Sequence, residues 1–329
     1  MQSRRKFLQQ TALAAGSLLA SNSVFAGWGE TNDVTKLTIL HTNDVHSRLE
    51  PFPMDGGRNQ GLGGVAARAE LIKTIRSEED RVIAAYNNEN GDNSSSGVLL
   101  LDAGDIFQGT PFFNIYKGEP EIKAMSAMKY DAATIGNHDF DAGLENLAIQ
   151  LQNASFPLLV CNYDLSNTPM ENKTLPYKIF RKGKLKIGVT GVGIDPKGLV
   201  PDNLAGNTKY LDPVANLNRM ANKLKREEGC DMVICLSHLG YKYKENPNKM
   251  CDIVLAKESD YVDLIIGGHT HTFMDEPDVQ KNKTGSDVII NQVGWAGIML
   301  GRLDFEFSKM QKKNLTKSHT VTVGKKTIE

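Results

Sequence analysis

Lys36-Leu37-Thr38-Ile39-Leu40-His41-Thr42-Asn43-Asp44-Val45-His46 is a short apolar run that ends abruptly in amide, carboxylate and imidazole side chains. Such a run predicts a buried strand with polar donors at its carboxyl end. The construction recurs along the chain. Residues 98–101, 132–135, 157–160, 186–192, 231–236, 263–266 and 287–293 predict further buried strands. Gly104-Asp105, Gly136-Asn137-His138-Asp139-Phe140-Asp141, Ser237-His238 and Gly267-Gly268-His269-Thr270-His271 follow four of them. Between the strands, residues 65–76, 121–128, 144–152 and 214–227 carry helical spacing. Strand alternating with helix implies an α/β layered core, in which ligands bind at the carboxyl ends of the strands.

Six of the seven histidines fall in or beside these motifs, and His319 lies in a polar C-terminal stretch. One imidazole alone reads as a satisfied core group. This many nitrogen and oxygen donors on one sheet edge are hard to bury without a cation. Gly104, Gly136, Gly267 and Gly268 stand just before the donors, where the lack of a Cβ allows sharp turns and close backbone approach. The 329-residue chain holds 38 Lys and Arg against 39 Asp and Glu, which excludes a protein that grips nucleic acid polymers by electrostatics.

With these motifs in place, the sequence resembles the calcineurin-like binuclear metallophosphoesterases, and among them the N-terminal metallophosphatase domain of secreted 5'-nucleotidases. The resemblance rests on His41-Thr42-Asn43-Asp44-Val45-His46, residues 104–111, residues 136–141 and Gly268-His269-Thr270-His271, and covers residues 36–307. It implies a layered α-β-β-α sandwich as a single catalytic domain. It also implies two divalent metal ions: Asp44, His46 and His271 on the first, Asn137, His238 and His269 on the second, and Asp105 shared by both. Oxygen and imidazole ligands without thiolate suit Zn, Mn, Fe or Co. Relatives often carry Gln where His271 stands. In the implied chemistry, a hydroxide between the metals attacks a phosphate monoester, with nucleotides as the expected substrates, while His138 protonates the leaving oxygen and Asp141 orients that imidazole. Asp141 has an alternative reading as a helix N-cap. Asp139 and His41 are expected to support the ligands without touching metal.

The remaining expectations concern organisation. Residues 1–26 read as a twin-arginine-type signal around Arg4-Arg5, which implies export to a bacterial periplasm or the medium with no membrane anchor after its removal. Residues 55–64 form a glycine-rich loop and residues 87–97 a solvated insertion. Leu303, Phe305 and Phe307 alternate with Arg302, Asp304 and Glu306, a half-exposed strand. Residues 308–329 read as a weakly held, Lys-rich tail. Cys161 and Cys235 are small core residues, and Cys230 and Cys251 are a candidate disulfide pair. Phe112, Phe113 and Tyr116 read as core or cleft wall, with a base clamp as the alternative. The C-terminal domain of the 5'-nucleotidases is expected to be absent, so a separate C-terminal-domain protein is a candidate partner for substrate binding. A thiosulfohydrolase-like or cyclic-nucleotide phosphodiesterase activity on the same fold remains an alternative.

Overall fold

The computed structural model describes residues 35–90, 94–308 and 313–324, so the expected signal peptide lies outside the described residues. The chain runs β1 (Thr35–Thr42), α1 (Val65–Asn90), β2 (Ser95–Asp102), α2 (Pro111–Tyr116), α3 (Glu119–Ala127), β3 (Ala132–Ala133), α4 (Gly143–Gln150), β4 (Leu158–Leu159), β5 (Tyr163–Asp164), β6 (Thr174–Leu175), β7 (Tyr177–Lys182) and β8 (Leu185–Val192). It continues through α5 (Asp202–Ala205), β9 (Lys209–Tyr210), α6 (Pro213–Asn222), β10 (Met232–Ser237), α7 (Asp252–Glu258), β11 (Leu264–Gly267), β12 (Asp278–Lys281), β13 (Asp287–Asn291), β14 (Met299–Phe307) and β15 (Asn314–Thr322).

One sheet has the order β15-β14-β1-β2-β3-β4-β6 and the other β12-β13-β11-β10-β8-β7. Strands β1 to β4 and β8, β10, β11 and β13 run parallel within their sheets, so the loops after their carboxyl ends collect along one edge of each. Side-chain alternation assigns the layers. Leu37, Ile39, Leu99 and Leu101 meet Ile187, Val189, Ile234, Leu236 and Ile266 between the sheets. The opposite faces pack outward, Leu40 and Leu100 against Ile72, Ile122 and Leu147, and Val233, Cys235 and Ile265 against Leu217 and Leu255. Full burial on both faces explains why these strands read as continuous apolar runs. The result is a mixed α/β fold of two facing sheets with helices outside.

The structure corrects several expectations. The helix begun at Val65 does not stop near Arg76 but continues to Asn90, and residues 95–97 belong to β2, so the supposed insertion at 87–97 is largely regular structure. Glu79 explains the extension. It is buried on α1, where it pairs with Lys36 at 2.9 Å and with Arg302. Arg302 also pairs with Asp304 at 3.0 Å, and Thr38 donates to Asp304 at 2.7 Å. The polar face of β14 is therefore covered by a helix and internally paired, because buried charges need partners.

The segment expected to be a weakly held tail forms edge strand β15, antiparallel to β14, and Val323 beyond it is buried. All four cysteines are free, so Cys230 and Cys251 form no disulfide. Cys230 precedes β10, whereas Cys251 adjoins Gly240 beyond its far end through the Asp252 N–H bond to the Gly240 carbonyl. A six-residue strand separates the two by roughly 20 Å. Among the described residues, no helix is long and apolar enough to cross a membrane.

Candidate metal centre

The loops after β1, β2, β3, β10 and β11 converge where the two sheets present their carboxyl edges. Asp44, His46, Asp105 and His271 place ligating atoms within 4.8 Å of one another, and so do Asp105, His238 and His269. Asp105 belongs to both groups. Its Oδ2 lies 3.1 Å from His238 Nε2 and 3.7 Å from His46 Nε2. Asn137 joins through its Oδ1, 2.8 Å from His269 Nδ1. All seven residues expected to ligate metal are thus brought together.

Local backbone geometry is strained to achieve this. Asp44, His46, Asp105, His269 and His271 all have positive φ, between 50° and 71°. Left-handed conformations cost non-glycine residues about 1 to 3 kcal/mol each and persist where surrounding structure enforces them. The enforcing bonds come from side chains. The buried Asp139 carboxylate accepts the N–H groups of Asp105, Ile106 and Phe107 at 3.1, 2.9 and 3.2 Å and that of Gly136 at 2.8 Å, tying two donor loops together. Asn43 donates to Asp44 Oδ2 and to the Gly294 carbonyl, both at 2.6 Å. Gln292 donates to the Gly268 carbonyl at 2.6 Å and accepts from Thr270 at 3.1 Å.

The donors fit divalent cations. His238 Nδ1 donates to the Ala103 carbonyl at 2.6 Å, which leaves a lone pair on Nε2, and that buried nitrogen has no hydrogen-bond partner despite lying beside Asp105. His46 Nδ1 sits 3.3 Å from the Phe107 carbonyl, and its Nε2 faces His271 Nε2 at 3.0 Å. Imidazoles that turn lone pairs toward a common point beside two carboxylates match the chemistry of a cation site. Electrostatics agree. Burial opposes charge on His238, yet Asp105 and Asp44 drive its pKa up to about 10, so the carboxylates favour a positive charge at Nε2, which a bound cation would supply in place of the proton. Burial likewise opposes ionisation of Asp105, but His238, His46 and His138 hold its carboxyl below the usual range. Burial first, and positive charge at the neighbouring His238 position second, bring His269 down to about 4, the neutral, ligating form.

His138 stands beside the ligands. Its backbone N–H donates to Asp105 Oδ1 at 2.8 Å, and its Nδ1 lies 2.8 Å from Asp141 Oδ2. The Asp141 hydrogen bond raises its pKa against a smaller opposing effect of burial. Helix α4 is capped at Ala142, so the alternative reading of Asp141 as the N-cap does not hold. A cleft of about 250 Å³ opens over the cluster, lined by His46, Arg48, Gln108, Gly109, His138, His271, Trp295 and Ala296.

The chain belongs to the calcineurin-like phosphoesterase family. The family model, described as calcineurin-like phosphoesterase, matches residues 37–273. The snake venom 5'-nucleotidase of Naja atra is 35% identical over 297 residues, 84% of this chain and 51% of that protein. The 5'-nucleotidase of Vibrio cholerae is 33% identical over 319 residues, 90% of this chain and 53% of that protein. The crystal structure of a 5'-nucleotidase precursor from Thermus thermophilus superposes with a TM-score of 0.72 at 31% identity, covering 88% of this chain and 55% of that one. The chain spans about half the length of the curated relatives it matches. Family membership carries hydrolysis of phosphoester bonds with divalent metals as the reaction class.

Not every expected residue serves the site. His41 is fully buried between the sheets, with Asn291 Nδ2 3.1 Å from its Nε2 and its pKa depressed by burial to about 3. It joins β1 to β13 through Asn291, whose Oδ1 accepts the N–H of Gln292 at 3.1 Å, so it touches no ligand itself and stands behind the residue that holds Gly268. Phe113 is core, stacked on Phe107 at 5.3 Å, whereas Phe112 and Tyr116 stack on each other away from the cleft lining. Arg48 and Trp295 line the cleft and escaped the sequence reading. Trp295 follows a strand end, the signal that exposed the other donors, and its ring stacks on His271 at 6.0 Å and 13°.

Gly136 gives the site its tightest constraint. An added Cβ would lie 2.5 Å from the Asp105 nitrogen and 2.7 Å from His238 Cε1. The conformational demand falls on Gly104, with φ +87° and a would-be Cβ 2.6 Å from the Gly136 nitrogen. Gly136→Ala is expected to push Asp105 and His238 apart and lower metal affinity by at least about tenfold. Metal titration checks this, and a variant that binds metal like the parent would disprove the constraint.

Proposed function

We propose that the chain is an exported, binuclear metal-dependent phosphatase that hydrolyses phosphate monoesters, nucleotides foremost. The observation that carries the reading is the pair of donor groups sharing Asp105, with a lone-pair nitrogen of His238 left unpartnered among carboxylates. Asp44, His46, His271 and Asp105 would hold one ion, and Asn137, His238, His269 and Asp105 the other. When bound, two such ions supply Lewis-acid charge to the phosphoryl oxygens and acidify water near neutral pH. The protein groups do the rest. Asp139, Asn43 and Gln292 hold the donor loops in their strained conformations. His138, with Nδ1 committed to Asp141, has Nε2 to offer the leaving oxygen. As the ester P–O bond breaks and water oxygen bonds to phosphorus, that imidazolium gives its proton to the departing alcohol, and Asp141 holds the ring throughout.

The family match and the 5'-nucleotidase relatives support the phosphomonoester reading, and export rests on residues 1–26. Base recognition belongs to a separate chain or domain of the C-terminal nucleotidase type, a reading favoured because Phe112, Phe113 and Tyr116 stay out of the cleft lining.

The test is metal removal and return. Protein stripped by a chelator is expected to lose hydrolysis of 4-nitrophenyl phosphate and of nucleoside monophosphates, and to regain both with about two equivalents of Mn, Zn or Co. Without a partner, activity on nucleotides is expected to be weak and indifferent to the base. Undiminished turnover in chelator would reject the proposal.

A further inference from the structure

The glycine-rich stretch at 55–64 has no part in holding metal, yet its geometry leads back to the cleft. The loop folds onto its own start: Phe52 N–H donates to the Leu62 carbonyl at 2.8 Å, and Gly61 N–H donates to the Phe52 carbonyl at 2.9 Å. Phe52 is thereby pinned and packs with Trp295 against a small apolar cluster of Leu62, Ala296 and Ile298. Its ring meets Trp295 edge-on at 5.8 Å. Over the Phe52 ring, 4.1 Å from its centroid, lies the guanidinium of Arg48.

Arg48 is half-buried and lines the same cleft as His46, His138 and His271. Among the described residues no carboxylate pairs with its guanidinium and no oxygen accepts from it, and the Phe52 ring is its one close charge contact. A planar, permanently charged fork held flat on an aromatic ring keeps its donor edge free for an oxyanion. A cation in a cleft without a protein counter-ion is matched by an anion from outside.

We propose that Arg48, held by Phe52 and the glycine-rich loop, binds oxygens of the phosphoryl group in the cleft, in both the phosphate ester and the inorganic phosphate product. Arg48 is a substrate-binding residue and Phe52 its positioning residue. The inference rests on the hydrolase reading above and deepens it, since it assigns part of the phosphate grip to this chain and not to a partner.

The experiment measures binding of inorganic phosphate to the metal-loaded full chain by calorimetry, beside metal content and its inhibition of 4-nitrophenyl phosphate hydrolysis. A charge-assisted contact predicts that Arg48→Ala raises the dissociation and inhibition constants of phosphate by about tenfold to a hundredfold at unchanged metal content. Arg48→Lys is expected to fall between. Phe52→Leu should weaken phosphate binding severalfold and Phe52→Tyr should restore it, a rescue that mere filling of space would not produce. Phosphate constants within twofold of the parent in Arg48→Ala would overturn the inference while leaving the hydrolase reading intact. A weakened response to pyrophosphate but not to phosphate would also overturn it, by moving the contact to a neighbouring group. Parent protein that takes up metal yet neither binds phosphate nor hydrolyses any ester would reject both readings together.

Discussion

Asp105→Asn is expected to cost the protein at least one metal equivalent and roughly a thousandfold in phosphatase turnover. Among the described residues the Asp105 carboxylate is the one ligand that belongs to both donor groups, with Oδ2 3.1 Å from His238 Nε2 and 3.7 Å from His46 Nε2. An amide keeps the shape and one oxygen but loses the negative charge that lies between the two donor groups. Charge stabilisation at such a centre is worth several kcal/mol, which converts to about three powers of ten in rate. The fold should survive, because the Asp139 carboxylate, and not Asp105, anchors the loop through its N–H groups. Metal analysis and thermal melting separate the two effects. Two full equivalents in a variant of normal activity would show that Asp105 is not shared.

His138→Asn should leave the metal content alone and lower turnover by about a hundredfold to ten-thousandfold on nucleoside monophosphates, the range for loss of a general acid. On 4-nitrophenyl phosphate the loss should be far smaller, because that leaving group departs without a proton. The expectation follows from position. His138 lines the cleft, its Nδ1 is committed to Asp141 at 2.8 Å, and its backbone touches Asp105 while its ring is absent from both donor groups. Equal losses on the two substrates would remove the proton-donor role and leave His138 as a phosphate contact.

Much of the centre was legible in the chain because the pattern that announces it is local. Apolar runs such as 231–236 can only be buried strands, and parallel strands in alternation with helices deliver their following residues to one edge. That reasoning puts Asp44, Asp105, Asn137, His238 and His269 at one sheet edge, and the structure brings their side chains together there. It failed where burial is polar or where a partner lies far off in sequence. Arg302 and Asp304 read as solvent-facing because alternation reports only side, and the covering Glu79 is more than two hundred residues away. His41 sits within a motif, yet its contact with Asn291, which leads on to Gln292 and Gly268, joins residues 250 apart that no local pattern connects. Strand β15 was missed because its Lys- and Thr-rich sequence becomes a strand only when β14 offers an unpaired edge.

The α/β class, the main buried strands, the donor types and the strand ends that carry them follow from the chain alone, since periodicity and turn residues act over a few neighbours. Tertiary structure alone decided which donors share Asp105, how Asp139 ties two loops, and how the loop at 55–64 holds Phe52 under Arg48. Those relations join segments up to about 250 residues apart, as in the Asn43 bond to Gly294. They exist only once two sheets pack with their carboxyl edges together, because hydrogen bonds and charge pairs depend on ångström-scale distances that no local pattern encodes.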